Sequence, residues 1–217
     1  MFYQDERHVY RVSELDCFAW LVHGFGSRHS SISALFPQLA TLRQIHSSTV
    51  VAAEGRSGVL GSGDALLENT PGAVVAVKTA DCIPILLADE RRRAVAAVHA
   101  GWRGTAARIV QRAVQAMRDR FGTAPADVHA AIGPGIGPCC YEVGPEVAAQ
   151  FGAEGRTRVD LPGANRLQLI EAGVTAGRIY ASNLCTMCRA EDLHSFRRDA
   201  EASGRQMSFI GIRQAVE

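Results

Sequence analysis

The sequence lacks any hydrophobic run long enough to cross a membrane. Its longest apolar stretches, AVVAV at residues 73–77 and CIPILLA at residues 82–88, have the length of strands, whereas a spanning helix needs about 20 apolar residues. The N-terminal stretch MFYQDERHVYRVSEL also lacks the uninterrupted apolar segment of a secretory signal. These absences predict a cytoplasmic protein without a membrane partner, in which thiols stay reduced.

The sequence also lacks an excess of charge of either sign. Its 23 Lys and Arg residues nearly balance its 22 Asp and Glu residues, which leaves a net charge of +1. Nucleic-acid-binding proteins depend on basic surfaces, so this balance predicts no nucleic-acid partner, although it permits a local basic pocket. Because there is also no internal repeat and no low-complexity linker, we expect a single domain over residues 1–217.

Hydrophobic periodicity predicts strands that alternate with helices. The clearest helix follows Gly104, with apolar residues at three- and four-residue spacing, and Gly122 is a suitable C-terminal cap. Further helices are predicted near residues 144–151 and over 165–173, the second with Asn165 as its N-cap. Strands are predicted at residues 43–54, 73–90, 94–100, 128–133 and 205–212. This order without a strict parallel rhythm favours an α/β or α+β fold with mixed sheets.

Three residues of metal-binding types lie at or near the ends of predicted strands. They are His46 after RQI, Cys82 within TADCIPILL, and His99 at the end of AVAAV. Strand ends that lie side by side can direct their side chains to one point. A His/Cys/His set leaves the fourth position of tetrahedral zinc open, as catalytic zinc sites do. The long spacings match no short zinc motif, and hydrogen-bonded histidines with a core cysteine would give the same pattern.

The other cysteines offer a weaker metal signal. In a reducing compartment, cysteines are core residues, ligands or nucleophiles rather than disulfides. CTMC at residues 185–188 has the spacing of a zinc knuckle or a redox pair, but no second CxxC completes a four-cysteine site. The adjacent Cys139 and Cys140 are awkward ligands for one tetrahedron. Cys139 is expected either to touch substrate or to be a core thiol.

A glycine-rich stretch and a pair of arginines are further candidates. IGPGIGPCCYEVGPEV at residues 132–147 contains neither a P-loop nor GxGxxG, and Pro134 and Pro138 remove two amide donors. It is either a rigid turn or a pocket wall that a ligand approaches closely. SFRRD places Arg197 and Arg198 beside a carboxylate. Such a pair is either solvated or turned inward to bind phosphate or carboxylate.

Taken together, these segments resemble the YfiH family over about residues 20–212. The matching signatures, in chain order, are HGFGSR (23–28), QIHSSTV (44–50), GDALLENTPG (63–72), TADCIPILLAD (79–89), AAVHAGWRG (96–104), AIGPGIGPCCYEVGPEV (131–147), NLCT (183–186) and SFRRD (195–199). This family has long been labelled polyphenol oxidase or laccase-like. It is associated with purine nucleoside phosphorylase activity and, in some members, with the editing of peptidoglycan precursors.

The resemblance implies a zinc site on His46, Cys82 and His99, within a single-domain sandwich of mixed β-sheets flanked by helices. It also implies a metal-dependent enzyme that uses adenosine, inosine, guanosine or methylthioadenosine with phosphate, and that deaminates adenosine. The expected substrate-binding residues are Arg28, Gln44, Asp81, Arg103, Cys139, Arg197 and Arg198, of which the four arginines are the candidate phosphate ligands. Ser47, where the family often has Gly, and HSSIS at residues 29–33 depart from the family pattern beside the expected pocket mouth.

Two features of the site remain open at this point. In VHAGWRGTA, Gly101 and Gly104 would let the chain turn tightly into a helix whose N-terminus favours anions. Trp102 is expected to pack against this turn or to stack on a purine. Asp81 is expected either to accept the second ring N–H of a ligand histidine, which would fix its tautomer, or to cap a turn.

One alternative function is a cysteine hydrolase, with Cys82 as nucleophile, His46 or His99 as base and Asp81 orienting the base. An amide hydrolase that edits cell-wall precursors belongs to this class. The same residues serve both mechanisms, and metal content distinguishes them, because a bound zinc ion ties up the thiolate.

A second alternative is a non-enzymatic, zinc-stabilised binding module. It would need a closed site, with Cys139 or Cys185 as the fourth ligand. A copper oxidase is disfavoured, because multicopper sites need many histidines, and this sequence has 7 histidines and no His-x-His pair. The sequence gives no signal for an oligomeric state.

Overall fold

The structure, a computed structural model, describes residues 1–214. Two mixed β-sheets carry the fold, and their strands are numbered here in chain order. Sheet 1 contains β1 (Phe2–Gln4), β2 (Tyr10–Val12), β3 (Leu21–Phe25), β4 (Ala40–Arg43), β6 (Gly58–Ser62), β8 (Val74–Thr79) and β15 (Gln206–Ile212). Its strand order is β1-β2-β3-β15-β8-β4-β6, and β4 runs parallel to both of its neighbours.

Sheet 2 lies at the centre of the molecule. It contains β5 (Val50–Ala52), β7 (Ala65–Glu68), β9 (Ile83–Asp89), β10 (Ala94–Ala100), β11 (Val128–Ile132) and β14 (Ile179–Ala181). Its strand order is β14-β11-β9-β10-β7-β5, with parallel pairs at both edges. A two-stranded ribbon pairs β12 (Glu142–Val143) with β13 (Thr157–Arg158). Mixed sheets were the prediction from the sequence, and the structure confirms it.

Helices pack on the outer faces of both sheets, with the longer ones on sheet 2. The α-helices are α1 (Ile32–Leu35), α2 (Trp102–Ala106), α3 (Ile109–Phe121), α4 (Pro145–Ala149), α5 (Leu161–Glu171) and α6 (Phe196–Asp199). Short 3-10 helices span Ser13–Leu15, Pro125–Asp127, Ala176–Arg178 and Ala200–Ala202. Within residues 1–214, no helix combines the length and the apolar character that a membrane crossing requires.

The two faces of sheet 2 explain why β9 and β10 are continuously hydrophobic. Leu86 of β9 and Val95 of β10 point into the core between the sheets. Their neighbours Leu87 and Ala96 point the other way, into the core beneath α3 and α5. A strand buried on both faces has no polar alternation. Every residue of these two strands is buried, which makes them a rigid support for the residues at their ends.

The predicted strands 43–54 and 73–90 are wrong in extent. Residues 43–54 contain the last residue of β4, a loop and β5, whereas residues 73–90 contain β8, a turn and β9. The first is interrupted after β4 by a loop in which His46 has the left-handed φ of +58°. The second is interrupted between β8 and β9, where Asp81 has a φ of +91°. Non-glycine residues in this region of φ are uncommon. Both interruptions carry residues of the candidate site.

Two helix boundaries also differ from the prediction. Asn165 is not an N-cap: α5 begins earlier, and the carboxylate of Asp160 accepts a hydrogen bond from the Gly163 backbone N–H at 2.8 Å. Pro162 fits this first turn because it needs no amide donor there. The helix predicted after Gly104 is two helices, since Arg108 with a φ of +61° separates α2 from α3. The predicted helix near 144–151 is confirmed as α4.

Buried His23 of β3 predicts acid sensitivity. Its Nε2 accepts a hydrogen bond from the Val12 backbone N–H at 3.0 Å, and burial lowers its pKa from 6.5 to about 4. The neutral ring therefore stabilises the fold fully above pH 6.5, and this stabilisation is lost as the pH falls from about 6.5 towards 4. We expect a loss of about 2 kcal/mol of unfolding free energy between pH 8 and pH 5 from this residue. Urea unfolding at both pH values measures it, and His23→Gln should show a shallower dependence on pH; an equal dependence would contradict the assignment.

Candidate active site and metal centre

His46, Cys82 and His99 meet at one edge of the sandwich. His46 lies in the loop after β4, Cys82 in the turn before β9, and His99 near the end of β10. Their potential ligand atoms all lie within 4.8 Å of one another. The rings of His46 and His99 have centroids 5.0 Å apart and an interplanar angle of 73°. The structure thus brings together the three residues that the strand ends had indicated.

A fully buried carboxylate, Asp64, organises two of these three residues. Its Oδ1 accepts from the His46 backbone N–H at 3.0 Å and from His99 Nδ1 at 2.8 Å. Its Oδ2 accepts from the backbone N–H and the hydroxyl of Ser47 at 2.6 and 2.7 Å. With its Nδ1 donating to Asp64, His99 presents Nε2 as a ligand atom, as zinc-binding histidines commonly do.

These hydrogen bonds keep the carboxyl group of Asp64 ionised. Burial raises the pKa of its carboxyl, but the hydrogen bonds from His99 and Ser47 outweigh burial and lower this pKa to about 2. From the sequence, Asp81 was a candidate for this orienting role or for capping a turn, and Asp64 was not predicted. A single aspartate before a strand, in GDALLE, carries no local signal for a contact made 35 residues away.

Cys82 has the thiolate character that a metal ligand or a nucleophile needs. Burial raises the pKa of its thiol, but hydrogen bonds and charge from His46 and His99 lower it to about 6. The pKa of His99 responds in the opposite sense: burial lowers it, whereas Asp64 and Cys82 raise it to about 9. Because metals and electrophiles both react with the thiolate, this arrangement suits either kind of chemistry.

Gly101 provides the space that the cluster occupies. A Cβ atom at this position would lie 2.9 Å from Cys82 Sγ and 3.3 Å from His46 Cδ2. Gly101 is therefore required because the side chains of Cys82 and His46 leave no room for a Cβ atom. Its own backbone, with a φ of −73°, would accept other residues. Trp102 is half-buried against the core beneath the helices, which agrees with its packing role.

The cluster opens onto a cavity of about 660 Å³. Of the substrate-binding residues predicted from the sequence, Gln44, Asp81 and Arg197 line it. The cavity is also lined by four residues that were not predicted from the sequence: Lys78, Tyr141, Phe196 and Arg205. The missed residues come from separate segments and have no shared spacing, so only the fold brings them together.

The polar groups at the cavity wall hold one another in place. Gln44 pairs with the backbone of Lys78 through bonds of 2.7 and 2.8 Å, which extends β4 beside β8. Asp81 accepts from Thr186 Oγ1 and from the Arg197 backbone N–H, both at 2.6 Å. Asp81 therefore ties a turn to the start of α6, the second of its two predicted roles.

The remaining predicted residues lie away from this cavity. Arg198 is held by carbonyl groups, including those of Thr186 and Leu193, and by the carboxylate of Asp199. Arg28 lies 3.9 Å from the same carboxylate. The exposed guanidinium of Arg103 stacks on the indole of its own neighbour, Trp102, at 4.5 Å. Cys139 lies in a separate cluster of cysteines. The structure thus leaves Arg197 as the predicted arginine that lines the cavity.

A sandwich of mixed sheets with two histidines and one cysteine converging at its strand ends defines an α/β protein of the YfiH type. The chain belongs to the family described as multi-copper polyphenol oxidoreductase laccase, whose sequence profile matches residues 27–213. The crystal structure of the hypothetical protein YfiH from Bacillus licheniformis is similar, with a TM-score of 0.87 and 29% identity over 98% of this chain and 99% of that one. The predicted family and fold class are both confirmed.

Curated relatives are named as enzymes of nucleoside chemistry. The chain is 45% identical to a purine nucleoside phosphorylase of Deinococcus radiodurans over 80% of this chain and 70% of that protein. It is 38% identical to adenosine deaminase RL5 of an unknown prokaryotic organism over 78% of this chain and 72% of that protein. Across eight curated relatives, the chain spans 59 to 75% of their length.

The family description refers to copper, and the donor set bears on this. Within residues 1–214, two clusters of three or more potential metal ligands occur: His46 with Cys82 and His99, and a group of four cysteines. Neither cluster contains more than two histidines. A site of two imidazoles, one thiolate and an open position has the composition of a catalytic zinc site.

Proposed function

We propose that the chain is a zinc-dependent purine nucleoside phosphorylase that also deaminates adenosine. The observation that carries this proposal is the His46–Cys82–His99 cluster, which faces a cavity with cationic and aromatic side chains on its wall. A cavity of about 660 Å³ has room for a nucleoside and phosphate together. The names of the curated relatives support the same substrates.

The residues present fit a zinc ion. His46, Cys82 and His99 would hold it, and the Asp64 carboxylate fixes the tautomer of His99 that this requires. When bound, Zn²⁺ supplies a Lewis acid that polarises an oxygen of phosphate or lowers the pKa of water. The first effect serves phosphorolysis, and the second serves deamination.

The side chains around the cluster would bind the two substrates. Arg197 and Arg205 bring positive charge to the cavity, where their planar guanidinium groups suit a tetrahedral oxyanion. Phe196 and Tyr141 offer aromatic faces to a purine. Burial and the nearby charge of Cys82 raise the pKa of Tyr141 to about 12. Its Oη therefore keeps its proton at neutral pH and can donate a hydrogen bond to the departing base.

Chromatography of adenosine incubated with the zinc-loaded protein tests this function. Phosphorolysis gives adenine and ribose 1-phosphate only when phosphate is added. Deamination gives inosine with or without phosphate. If adenosine is unchanged in both samples by a protein whose cluster holds zinc, the proposal is wrong.

Replacement of Arg197 by alanine tests the phosphate subsite. The guanidinium lies over the Tyr141 ring at 5.3 Å and donates to the Glu142 carbonyl at 2.9 Å, so it is held at the cavity wall. Loss of a charge-assisted hydrogen bond to phosphate should raise the KM for phosphate about tenfold or more. Arg91→Ala, at an exposed ion pair with Asp127, is the matched control and should leave KM unchanged. Equal KM values for the Arg197→Ala variant and wild type would exclude this residue from the subsite.

A second function is favoured by the lowered pKa of Cys82, which makes it a potential nucleophile beside His46 and His99. We propose amide hydrolysis, with peptidoglycan precursors as the substrate class, as this second candidate. Alkylation distinguishes the two mechanisms, because a zinc-bound thiolate is protected from iodoacetamide and a free catalytic thiolate is not. Rapid alkylation of Cys82 in the isolated protein, together with activity that resists chelators, would favour the hydrolase.

A further inference from the structure

Four of the six cysteines converge at a second place in the fold. Cys139 and Cys140 come from the glycine-rich turn after β11, and Cys185 and Cys188 come from the CTMC segment before α6. Their Sγ atoms all lie within 4.8 Å of one another. Cys188 Sγ lies 3.4 Å from Cys140 Sγ and 3.8 Å from Cys139 Sγ. The fifth cysteine is Cys82 of the candidate active site, and the sixth is Cys17, which belongs to neither cluster.

These distances are those of a tetrahedral metal site. Zinc–thiolate bonds of about 2.3 Å place the sulfur atoms about 3.8 Å apart at the corners of a tetrahedron. A disulfide bond needs sulfur atoms about 2.0 Å apart. The sulfur atoms lie at most 4.8 Å apart. Each separation therefore needs to change by about 1 Å or less for the four sulfur atoms to enclose a zinc ion. The adjacent pair, which looked awkward in the sequence, works because the chain turns between its two side chains, with the Cys140 N–H donating to the Gly137 carbonyl at 3.0 Å.

Hydrogen bonds within the protein hold the backbone around the four sulfur atoms in place without an ion. The Gly137 N–H donates to Cys185 Sγ at 3.3 Å, a contact that stabilises a thiolate. Gly135 and Cys185 form a parallel β-bridge, and the Thr186 N–H donates to the Gly135 carbonyl at 3.0 Å. A Cβ at Gly137 would lie 3.3 Å from Cys139 Sγ. Both cysteine pairs are thus positioned by hydrogen bonds and by close backbone approach.

We propose that Cys139, Cys140, Cys185 and Cys188 bind a second zinc ion in a closed, structural site. With four thiolate ligands, this site has no open position, so its role differs from that of the His46–Cys82–His99 cluster. It joins the CTMC segment to the glycine-rich turn, which lines the substrate cavity through Ile136 and Tyr141. Tyr141 directly follows Cys140, and Thr186, which directly follows Cys185, donates to Asp81. The second ion fixes this wall of the cavity, and the proposal holds whatever reaction the cavity supports.

Metal analysis of protein purified without oxygen tests the proposal. Wild type and the control Cys17→Ser, which changes an exposed cysteine outside both clusters, should each bind about two zinc ions per chain. Cys82→Ala and the double variant Cys185→Ser/Cys188→Ser should each keep about one. Cobalt substituted into Cys82→Ala should show the intense sulfur-to-metal charge-transfer absorption of four thiolates.

A folded Cys82→Ala protein that binds no zinc overturns the proposal, as does a disulfide found by counting thiols in denatured wild type. If the double variant fails to fold, zinc release from folded Cys82→Ala replaces it as the test. A mercurial thiol reagent should then release the ion in step with four thiols, and release with fewer than three contradicts a four-cysteine site. Loss of nucleoside turnover alone does not affect these readouts, so failure of the proposed function and failure of the second zinc site are distinguishable.

Discussion

Replacement of Cys82 by alanine is expected to remove zinc from the His46–Cys82–His99 cluster and to abolish activity, while the protein stays folded. Cys82 is the only anionic ligand of the three, and two neutral imidazoles hold zinc far less tightly. Loss of a residue that supports a ligand typically costs about 10- to 100-fold in metal affinity or activity. Loss of the ligand itself should cost more than about 100-fold.

The measurements are zinc content at this cluster, turnover of adenosine and the melting temperature. Cys82 is absent from the hydrophobic core clusters of the described residues, so the melting temperatures of metal-free variant and metal-free wild type should differ by only a few degrees. Cys17→Ala is the matched control for loss of a thiol and should behave as wild type. An active Cys82→Ala protein without metal at the cluster would show that the cluster is not the catalytic centre.

Gly101→Ala should impair the same cluster without removing a ligand. The backbone at this position, with φ −73° and ψ 175°, accepts alanine without strain. The added methyl group, however, would lie 2.9 Å from Cys82 Sγ, closer than Cβ atoms approach other atoms. The thiolate must therefore move, and we expect zinc affinity at the cluster to fall about 10- to 100-fold, with a similar loss of activity.

Competition for zinc with a chelator of known affinity measures this effect. Gly177→Ala is the control, because no atom lies within 4 Å of a Cβ there and its φ is not in the left-handed region. The control should bind zinc as wild type does. Unchanged zinc affinity in Gly101→Ala would mean that the Cys82 sulfur can move freely, which contradicts its tight packing against Gly101.

The sequence was sufficient for elements whose signal is local. The continuous apolar runs of β9 and β10 and the periodicity of α3 arise from burial that each segment experiences along its own length. The start of α5 was mispredicted because Asp160 and Asn165 are both good caps, and the position of Pro162 decides between them.

The candidate site was only partly predictable, because much of it depends on contacts between segments that are distant in the sequence. Histidine and cysteine are rare enough that three of them at strand ends suggest a cluster. Asp64 belongs to a common residue type, and its role depends on contacts with His46 and His99 that only the folded chain makes. The four-cysteine cluster was underestimated because pairs 45 residues apart are brought together by the β-bridge between Gly135 and Cys185, which leaves no spacing to recognise.

The position of Asp64 and Cys82 between the sheets has a consequence for assembly. Asp64 lies where the chain leaves β6 of sheet 1 for β7 of sheet 2, and Cys82 lies where it leaves β8 of sheet 1 for β9 of sheet 2. His46 follows a strand of sheet 1, and His99 belongs to sheet 2. Neither sheet alone therefore contains the set of donors. We therefore expect an ion to bind this cluster only after the two sheets have docked, and to oppose their separation because it would bind only the docked state.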